Sequence, residues 1–371
     1  MISRDHLIKK LQAWSYLRQQ LSRAASRPAE ALRGVVAVYS SHPTAPLSLL
    51  SRSTSFDAEH LSEMEQRRQV LRIPAMRQSI FLVPAETAPR LFAATRLPMD
   101  KHARRLRFAG LDWDEYTRLK QRVLEHTQAP ITASDLQKAV KTDARLMTAV
   151  RTMSYEGLVL RLGSSLRTDS LLYVATEAWL GHRLEEVDAL RSLQWLAQEY
   201  LRGYGPARVE DFAWWSGVSN RHASAALSDA SVVDIGSGLL LPSDQQSAFE
   251  HVEPVDSEAV DVLPKWDAYT MGHAPDGRQR LVDDQHLASA FSSAGTPGKG
   301  ATSGDGLPLV LRGGRAEASW SHRFEGDRMM VKVAAFERGV LRPALYERAF
   351  DGVGKLLGAT SIEVDAVTSS N

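Results

Sequence analysis

Cysteine is absent from this chain of 371 residues, and its absence excludes several kinds of chemistry. Without thiols the protein has no disulfide bond, no cysteine nucleophile and no zinc site with cysteine ligands. Such a composition suits the cytoplasm, where thiols stay reduced, and we expect a cytoplasmic protein.

Long apolar segments are absent as well. No run approaches the ~18 apolar residues that a membrane-spanning helix needs. The opening stretch, MISRDHLIKKLQAW, carries charges throughout and lacks the apolar core and cleavage site of a signal peptide. We therefore expect a soluble protein without a membrane partner, and its length favours two to four domains.

Familiar motifs for metals, nucleotides and nucleophilic catalysis are also missing. The 11 histidines form no HxxxH or HExxH pair, and neither a GxxxxGK[ST] phosphate loop nor a GxSxG elbow occurs. The stretch GTPGKG (295–300) shares only its glycines with a phosphate loop, so a linker is favoured. We expect neither a metal nor a cofactor.

Neither sign of charge dominates, since 45 Lys and Arg face 44 Asp and Glu. One segment departs from this balance, with a single acid (Asp100) among the bases Arg90, Arg96, Lys101, Arg104, Arg105 and Arg107. A local basic face can bind a polyanion even when the whole protein is nearly neutral. A solvated helix face explains the same run equally well.

What is present is a repeated order of elements. In residues 111–187 the apolar spacing predicts a helix over 112–126, a second helix capped by Thr132 or Ser134, and a third over 145–155. Two β-rich runs, 158–162 and 171–174, then predict a hairpin. Three helices followed by a hairpin is the order of a winged helix.

The same order returns in residues 188–252, where Pro206 holds the place of Pro130. Residues 1–110 are interpreted as a third, more divergent copy, with a helix at 4–21, a long helical region from Pro28 and a strand in MRQSIFLVP. Residues 253–371 are β-rich, with a flexible loop at 292–306 and a closing helix near 341–358. The prediction is an α+β protein with three tandem winged-helix domains (1–110, 111–187 and 188–252) and a C-terminal β-rich domain (253–371).

Winged helices mostly contact DNA through the third helix and the hairpin. The arginines at these places are Arg145, Arg151, Arg161, Arg167 and Arg221. Each is a candidate contact for a DNA phosphate, and for each the alternative is an ordinary surface arginine.

Four segments carry a family resemblance: YLRGYGPARVEDFAWWSG (200–217), AMRQSIFLVPAE (75–86), LPKWDAYTMGH (263–273) and RGGRAEASW (312–320). They are similar to the family patterns YL-x-x-YGP-x-x-x-x-DF-x-x-W-x-G, R-G-T-x-x-x-V-P, L-P-x-[FW]-D-x-Y-x-x-G and D-G-x-x-x-G-x-W. On these residues the chain resembles the bacterial winged-helix DNA glycosylases of the AlkZ type.

The resemblance implies three winged helices in a C-shaped arrangement around duplex DNA, with a C-terminal β-barrel-like domain. It also implies a monomer that excises alkylated purines, chiefly N7-alkylguanine, without a cofactor. Some members are similar to self-resistance enzymes that remove DNA adducts or crosslinks made by an antibiotic producer's own genotoxin.

The family's catalytic element is a glutamine, a small or apolar residue, and then a glutamine or aspartate. Alignment on Pro43 places this element at VYSSHP (38–43), with Tyr39 and Ser41 at the two polar positions and His42 before the proline. Neither glutamine is present, which is a departure from the family. A register shifted toward Val36 and Val38 would leave no polar group.

An N7-alkylated guanine is already a cation, so its departure needs no general acid. The site has only to hold a water near the sugar carbon and stabilise a positively charged transition state. Tyr39 and Ser41 can hold a water, and His42 can accept its proton. Alternatively, Tyr39 can stack on a flipped nucleotide or a bulky adduct. Since VYSSHP has no lysine for a Schiff base, we expect a monofunctional glycosylase.

Arg77 is a further candidate for a phosphate contact near the lesion, whereas Trp266 and Asp267 suit a structural role as well as a functional one. The alternative for VYSSHP is a helix break in which Ser41 or His42 caps the helix that follows. Two other functions stay open: a non-catalytic DNA-binding protein, such as a lesion sensor or regulator that has lost the glutamines, and a protein-interaction module.

Overall fold

The computed structural model describes residues 3–21, 25, 27–40, 44–141, 145–167, 170–293, 296–297, 305–337 and 343–368. The chain divides into two compact units. Unit 1 comprises Met1–Tyr39, Pro43–His60 and Ala197–Asn371, and unit 2 comprises Ser40–His42 and Leu61–Leu196.

The described chain contains both α-helices and β-strands. The α-helices are α1 (Arg4–Arg18), α2 (Pro28–Gly34), α3 (Thr44–Leu50), α4 (Ala58–Gln66), α5 (Ala88–Thr95), α6 (Met99–Phe108), α7 (Trp113–His126), α8 (Ala133–Val140), α9 (Leu146–Tyr155), α10 (Thr176–Leu180), α11 (Ala189–Tyr204), α12 (Val209–Ser216), α13 (Asn220–Leu227), α14 (Gln246–Glu250), α15 (Leu287–Ala290) and α16 (Pro343–Leu356).

The strands have five residues or fewer up to β13, and the last three are longer. They are β1 (Val38–Tyr39), β2 (Val70–Pro74), β3 (Ile80–Pro84), β4 (Ile131–Thr132), β5 (Val159–Gly163), β6 (Leu171–Ala175), β7 (Val232–Asp234), β8 (Leu240–Pro242), β9 (Val260–Leu263), β10 (Phe291–Ser293), β11 (Thr296–Pro297), β12 (Asp305–Gly306), β13 (Leu309–Arg312), β14 (Arg315–Glu325), β15 (Arg328–Ala335) and β16 (Ser361–Thr368).

In unit 2, helices α7, α8 and α9 enclose an apolar core. The Asp112 side chain caps α7, and the Thr132 hydroxyl caps α8 by accepting a hydrogen bond from the Asp135 N–H at 3.1 Å. These caps satisfy N–H groups that the first turn of a helix leaves without partners. The expected helices and the Thr132 cap are confirmed. The buried apolar residues that form the core include Tyr116, Leu119, Val123, Leu136, Val150 and Met153.

The hairpin predicted after these helices is present. Strand β5 pairs antiparallel with β6, with Leu160 opposite Val174. A second hairpin, β2–β3, joins through β2, so that unit 2 contains strands in the order β3-β2-β5-β6-β4. In unit 1, helices α12 and α13 pack together and precede the shorter hairpin β7–β8.

The C-terminal strands form a five-stranded sheet in the order β16-β15-β14-β13-β9. Strands β15 and β16 run parallel, which requires the crossover that α16 provides, and the other neighbours are antiparallel. Over the described residues β9 and β16 remain separate edges, and α16 packs against both of them. The sheet therefore does not close into the expected barrel-like domain.

Two expectations for loops and helices need correction. The helix that begins at Pro28 ends at Gly34, because Val36 has a left-handed φ of 67° that cannot continue a right-handed helix. The described part of 292–306 contains parts of the antiparallel strands β10, β11 and β12, whose two or three residues are too few for a periodic pattern. Residues 294–295 and 298–304 lie outside the described residues.

A search of the described helices for membrane spans found none with the required length and hydropathy. The four domain boundaries expected from the sequence, and the third copy in residues 1–110, stay predictions.

Candidate active site

Tyr39 ends the two-residue strand β1 in unit 1 and is half-buried. Its ring centroid lies 4.6 Å from that of Trp266, with the two planes inclined by 53°. The ammonium of Lys265 lies 4.1 Å from the centroid of the Trp266 ring. These three side chains, which we call the aromatic cluster, combine two rings and a cation at a partly exposed place.

The other two catalytic candidates, Ser41 and His42, lie outside the described residues. Their neighbour Ser40 is described and is buried in unit 2. The Arg72 guanidinium donates a hydrogen bond to the Ser40 carbonyl at 2.6 Å and forms a buried ion pair with Glu65, also at 2.6 Å. The Ser40 N–H donates to the carbonyl of Ile80. Both backbone groups of Ser40 are therefore fixed next to the candidate residues.

Two residues around Tyr39 have a backbone conformation that side chains rarely adopt. Val36 has a φ of 67° and Trp266 a φ of 59°. A β-branched or bulky residue in the left-handed region is a conformational outlier that costs about 1–3 kcal/mol. Such strain persists only where the surroundings over-determine the conformation, and it concentrates at functional sites.

A buried ion pair next to Trp266 constrains the backbone of this segment. Arg52 and Asp267 are fully buried and form two parallel hydrogen bonds, of 2.8 and 2.7 Å. The Asp267 carboxylate also accepts hydrogen bonds from the Ser48 hydroxyl and the Tyr269 N–H. Burial alone would lower the pKa of Arg52, but the charge of Asp267 raises it above its usual value. Asp267, adjacent to Trp266, thus has a structural role.

Further hydrogen bonds fasten the LPKWD segment (263–267) to α3 and to the C-terminal sheet. The Thr44 hydroxyl, at the start of α3, donates to the Lys265 carbonyl at 2.8 Å. The Trp320 indole N–H donates to the Leu263 carbonyl at 2.9 Å. Trp320 ends the segment RGGRAEASW, so two of the family-like segments hold each other.

The YLRGYGP segment (200–206) holds the chain just before Tyr39. The buried Tyr204 hydroxyl donates to the Val35 carbonyl at 2.8 Å, next to the strained Val36. Gly203 permits this approach, because a Cβ at this position would lie 2.8 Å from the Gly34 carbonyl oxygen. The conformation before β1 therefore depends on residues about 170 positions later in the chain.

The DF pair (211–212) of the longer segment YLRGYGPARVEDFAWWSG is part of a charged network. Asp211 accepts hydrogen bonds from the Arg208 guanidinium and from the Ala274 N–H. Burial would raise the pKa of Asp211, but the hydrogen bonds from Arg208 outweigh it and hold the pKa below its usual range. Burial lowers the pKa of His273, so the imidazole is neutral at neutral pH and Nε2 donates to the Tyr204 carbonyl.

The arginines proposed to contact DNA differ in their surroundings. Arg77, Arg151, Arg167 and Arg221 are exposed. Arg77 lies at the tip of hairpin β2–β3 with a left-handed φ of 52°, and the next residue, Gln78, has a φ of 60°. Gln78 is held by hydrogen bonds with the Thr95 carbonyl and the Tyr155 hydroxyl, so this tip has a defined shape.

The remaining two arginines, Arg145 and Arg161, are half-buried in unit 2. Arg145 forms an ion pair with Glu115 at 3.1 Å and donates to the Gly110 carbonyl. The Arg161 guanidinium lies 5.9 Å from the centroid of the Tyr173 ring. Their guanidinium groups are therefore less accessible to solvent than those of the four exposed arginines.

Sequence patterns alone missed Lys265 as part of the site. The sequence feature that could have identified Lys265 is the adjacent lysine and tryptophan in LPKWD. In regular secondary structure, however, the side chains of adjacent residues seldom contact each other. The left-handed Trp266 brings them together. Among the described residues, no group of three His, Asp or Glu side chains is arranged as a metal site.

Comparison with known proteins agrees with the resemblance. A family model described as DNA glycosylase AlkZ-like matches residues 30–358. Among solved structures, the DNA glycosylase AlkZ of Streptomyces sahachiroi aligns with a TM-score of 0.71 over 97% of this chain and 99% of that chain, at 17% identity. At this identity the likeness shows a shared fold. A search of curated proteins found no match. Because the family model covers most of its length, the chain belongs to the AlkZ-like DNA glycosylase family.

Proposed function

We propose that the protein is a monofunctional DNA glycosylase that hydrolyses the N-glycosidic bond of bulky N7-alkylated guanine in double-stranded DNA. One observation supports the proposal: Tyr39, which the alignment with the family puts at the first polar position of the catalytic element, contacts the Trp266 ring. Strained backbone at Val36 and Trp266 on either side of this contact is typical of a functional site.

The chemistry asks little of the protein beyond orientation. The alkylated base leaves as a neutral molecule, so the bond from the sugar breaks without a proton donor. A water then attacks the sugar carbon and gives up a proton. Tyr39 and Ser41 hold this water, and His42 accepts the proton, since a histidine titrates close to neutral pH.

Binding of DNA uses winged helices in residues 1–110, 111–187 and 188–252. The exposed arginines Arg77, Arg151, Arg167 and Arg221 contact phosphates, whereas Arg145 and Arg161 contribute less because they are half-buried. Helix α6 adds a basic stripe, because Lys101, Arg104 and Arg107 recur on its exposed side. Phosphate contacts of this kind give affinity without reading sequence.

The biological role that fits this reaction is DNA repair, in particular self-resistance against a DNA-alkylating natural product. A tyrosine and a serine stand where the family has glutamines, and this departure favours a second candidate function. In that case the protein binds lesions as a sensor or regulator and cleaves no bond.

The test uses duplex DNA with a single N7-alkylguanine, and alkali to convert abasic sites into breaks. Wild type is compared with Tyr39→Phe, Ser41→Ala and His42→Ala, and with the exposed control variants Ser62→Ala and His251→Ala. We expect cleavage by wild type, at least a tenfold lower rate for one active-site variant, and unchanged rates for the controls. DNA binding without cleavage of small or bulky adducts would favour the sensor.

The same reactions test the monofunctional mechanism. Borohydride reduces a Schiff base between a lysine and the sugar, so it traps bifunctional glycosylases on DNA. We expect no trapped complex and no strand break before alkali. A trapped complex would contradict the water-dependent mechanism.

A further inference from the structure

The Lys265 ammonium lies 4.1 Å from the centroid of the Trp266 ring, which is well within the range of a cation–π interaction. Indole is the strongest cation–π acceptor among the side chains. Both residues are half-buried, so the pair is accessible from solvent. The Trp266 ring thus already contacts a positive charge, which is the ammonium of Lys265.

Resting on the proposed function, we propose that Trp266 binds the positively charged purine of an N7-alkylated nucleotide through its ring face. Lys265 occupies this place in the free protein and leaves it when the charged base arrives. Trp266 is then a residue that determines specificity for cationic over neutral lesions.

The architecture behind Trp266 supports a binding role over an incidental surface pair. An aromatic residue with a φ of 59° costs free energy, and the fully buried Arg52–Asp267 pair fixes the adjacent residue. The Thr44 hydroxyl holds the carbonyl of Lys265. The indole is therefore placed in advance, and a ligand that stacks on it loses little free energy in ordering the ring.

The surroundings of Lys265 also allow the exchange. Its ammonium lies 4.0 Å from the Asp305 carboxylate, and both side chains are 40% exposed. When a purine cation takes the ring face, the ammonium can move toward Asp305 or into solvent and keep its charge compensated. A neutral base has a weaker interaction with the Trp266 ring, and it would have to displace the same ammonium group.

The test measures binding, so that it does not depend on cleavage. Two duplexes carry the same alkyl group: one has a cationic N7-alkylguanine on a 2′-fluoro sugar that resists hydrolysis, and the other has the neutral 7-alkyl-7-deazaguanine on the same sugar. Dissociation constants are measured for wild type, Trp266→Phe, Trp266→Leu and Lys265→Met. Methionine keeps the length and packing of the lysine stem.

We expect wild type to bind the cationic lesion about tenfold more tightly than the neutral one, which corresponds to about 1.4 kcal/mol. Trp266→Leu should abolish this preference and Trp266→Phe should keep part of it. Lys265→Met should tighten binding of the cationic lesion, because it removes the competing cation. If Trp266→Leu does not fold, as judged by thermal unfolding, the other two variants still decide the question.

Three results would overturn the inference: equal affinity of wild type for the two lesions, a preference that survives in Trp266→Leu, or a Lys265→Met variant that binds both lesions equally more weakly. The last result would assign Lys265 to a phosphate. Failure of the proposed function looks different, since wild type would then prefer the cationic lesion but release no base from a cleavable substrate.

Discussion

The two units contain arginines that differ widely in burial. Arg52 in unit 1 is fully buried, and its guanidinium donates to Asp267 and to the Ser48 carbonyl. Arg104 and Arg107 on α6 of unit 2 are exposed, and Phe108 beside them is 88% exposed. The first arginine is paired with the residue next to Trp266, and the other two face solvent.

The difference between these arginines has an energetic basis. A buried charge is tolerated only when its partners compensate for lost hydration, so removing one partner is costly. An exposed charge keeps its hydration and contributes little to folding, but it attracts phosphates over a range that salt shortens. Substitution of the buried arginine in unit 1 should therefore lower stability. Substitution of the exposed arginines on α6 should lower affinity for DNA.

The largest expected effect is at the buried ion pair. Arg52→Met should lower the free energy of unfolding by about 3–5 kcal/mol, because it leaves the Asp267 carboxylate buried without its cation. Urea unfolding at pH 7 measures this loss. The matched control is Arg328→Met, whose ion pairs with Glu325 and Glu363 are exposed and should matter little. Similar effects for the two variants would break the comparison.

A smaller effect is expected from Asp261, a half-buried acid of unit 1. Burial raises the pKa of Asp261 from 3.8 to about 6, although the Tyr16 hydroxyl donates a hydrogen bond to it at 2.5 Å. The fold therefore favours the protonated acid. Stability from this group is present below the unfolded pKa and is lost as the pH rises through about 6.

Asp261→Asn removes this dependence while Tyr16 keeps an acceptor. As the pH rises from 4.5 to 7.5, the free energy of unfolding of the variant should increase by about 2 kcal/mol relative to that of wild type. The reason is that wild type loses stability when Asp261 ionises, and a tenfold stronger binding of the proton in the folded state corresponds to about 1.4 kcal/mol. Urea unfolding at the two pH values measures the change, with exposed Asp365→Asn as the control. A gain of similar size at Asp365, or none at Asp261, would contradict the assignment.

The mildest effect is expected on α6. Changing Lys101, Arg104 and Arg107 to Gln should leave stability nearly unchanged and weaken DNA binding at low salt. The slope of log K against log salt should fall by about 3 at most, because each lost phosphate contact removes about 0.9. Binding isotherms at several salt concentrations measure the slope. Arg348→Gln with Lys355→Gln, exposed on α16, is the control, and an equal fall there would remove α6 from the interface.

Much of the fold could be predicted from local patterns. Apolar spacing and the Thr132 cap located helices α7 to α9, and two β-rich runs located hairpin β5–β6. The family-like segments were identified from their residue patterns alone. The structure shows what some of these residues contact. Tyr204, Asp267 and Trp320 each hold a backbone or charged group of another segment.

The rest could not be predicted because it depends on contacts between distant residues. Propensity argues against a left-handed Val36 or Trp266, and only the buried groups around them impose that conformation. Over the described residues the edge strands β9 and β16 of the C-terminal sheet do not pair, and α16 packs against both of them. The proposal that VYSSHP is a site rests on family resemblance, since a helix break has the same composition.

The central claim is that this chain releases an alkylated purine from DNA by hydrolysis. The most direct measurement incubates wild type with duplex DNA bearing a bulky N7-alkylguanine and quantifies the free modified base by mass spectrometry. The account predicts one released base for each abasic site and no covalent protein–DNA product. Tight lesion binding with no base released would contradict it and identify a protein that recognises damage without repairing it.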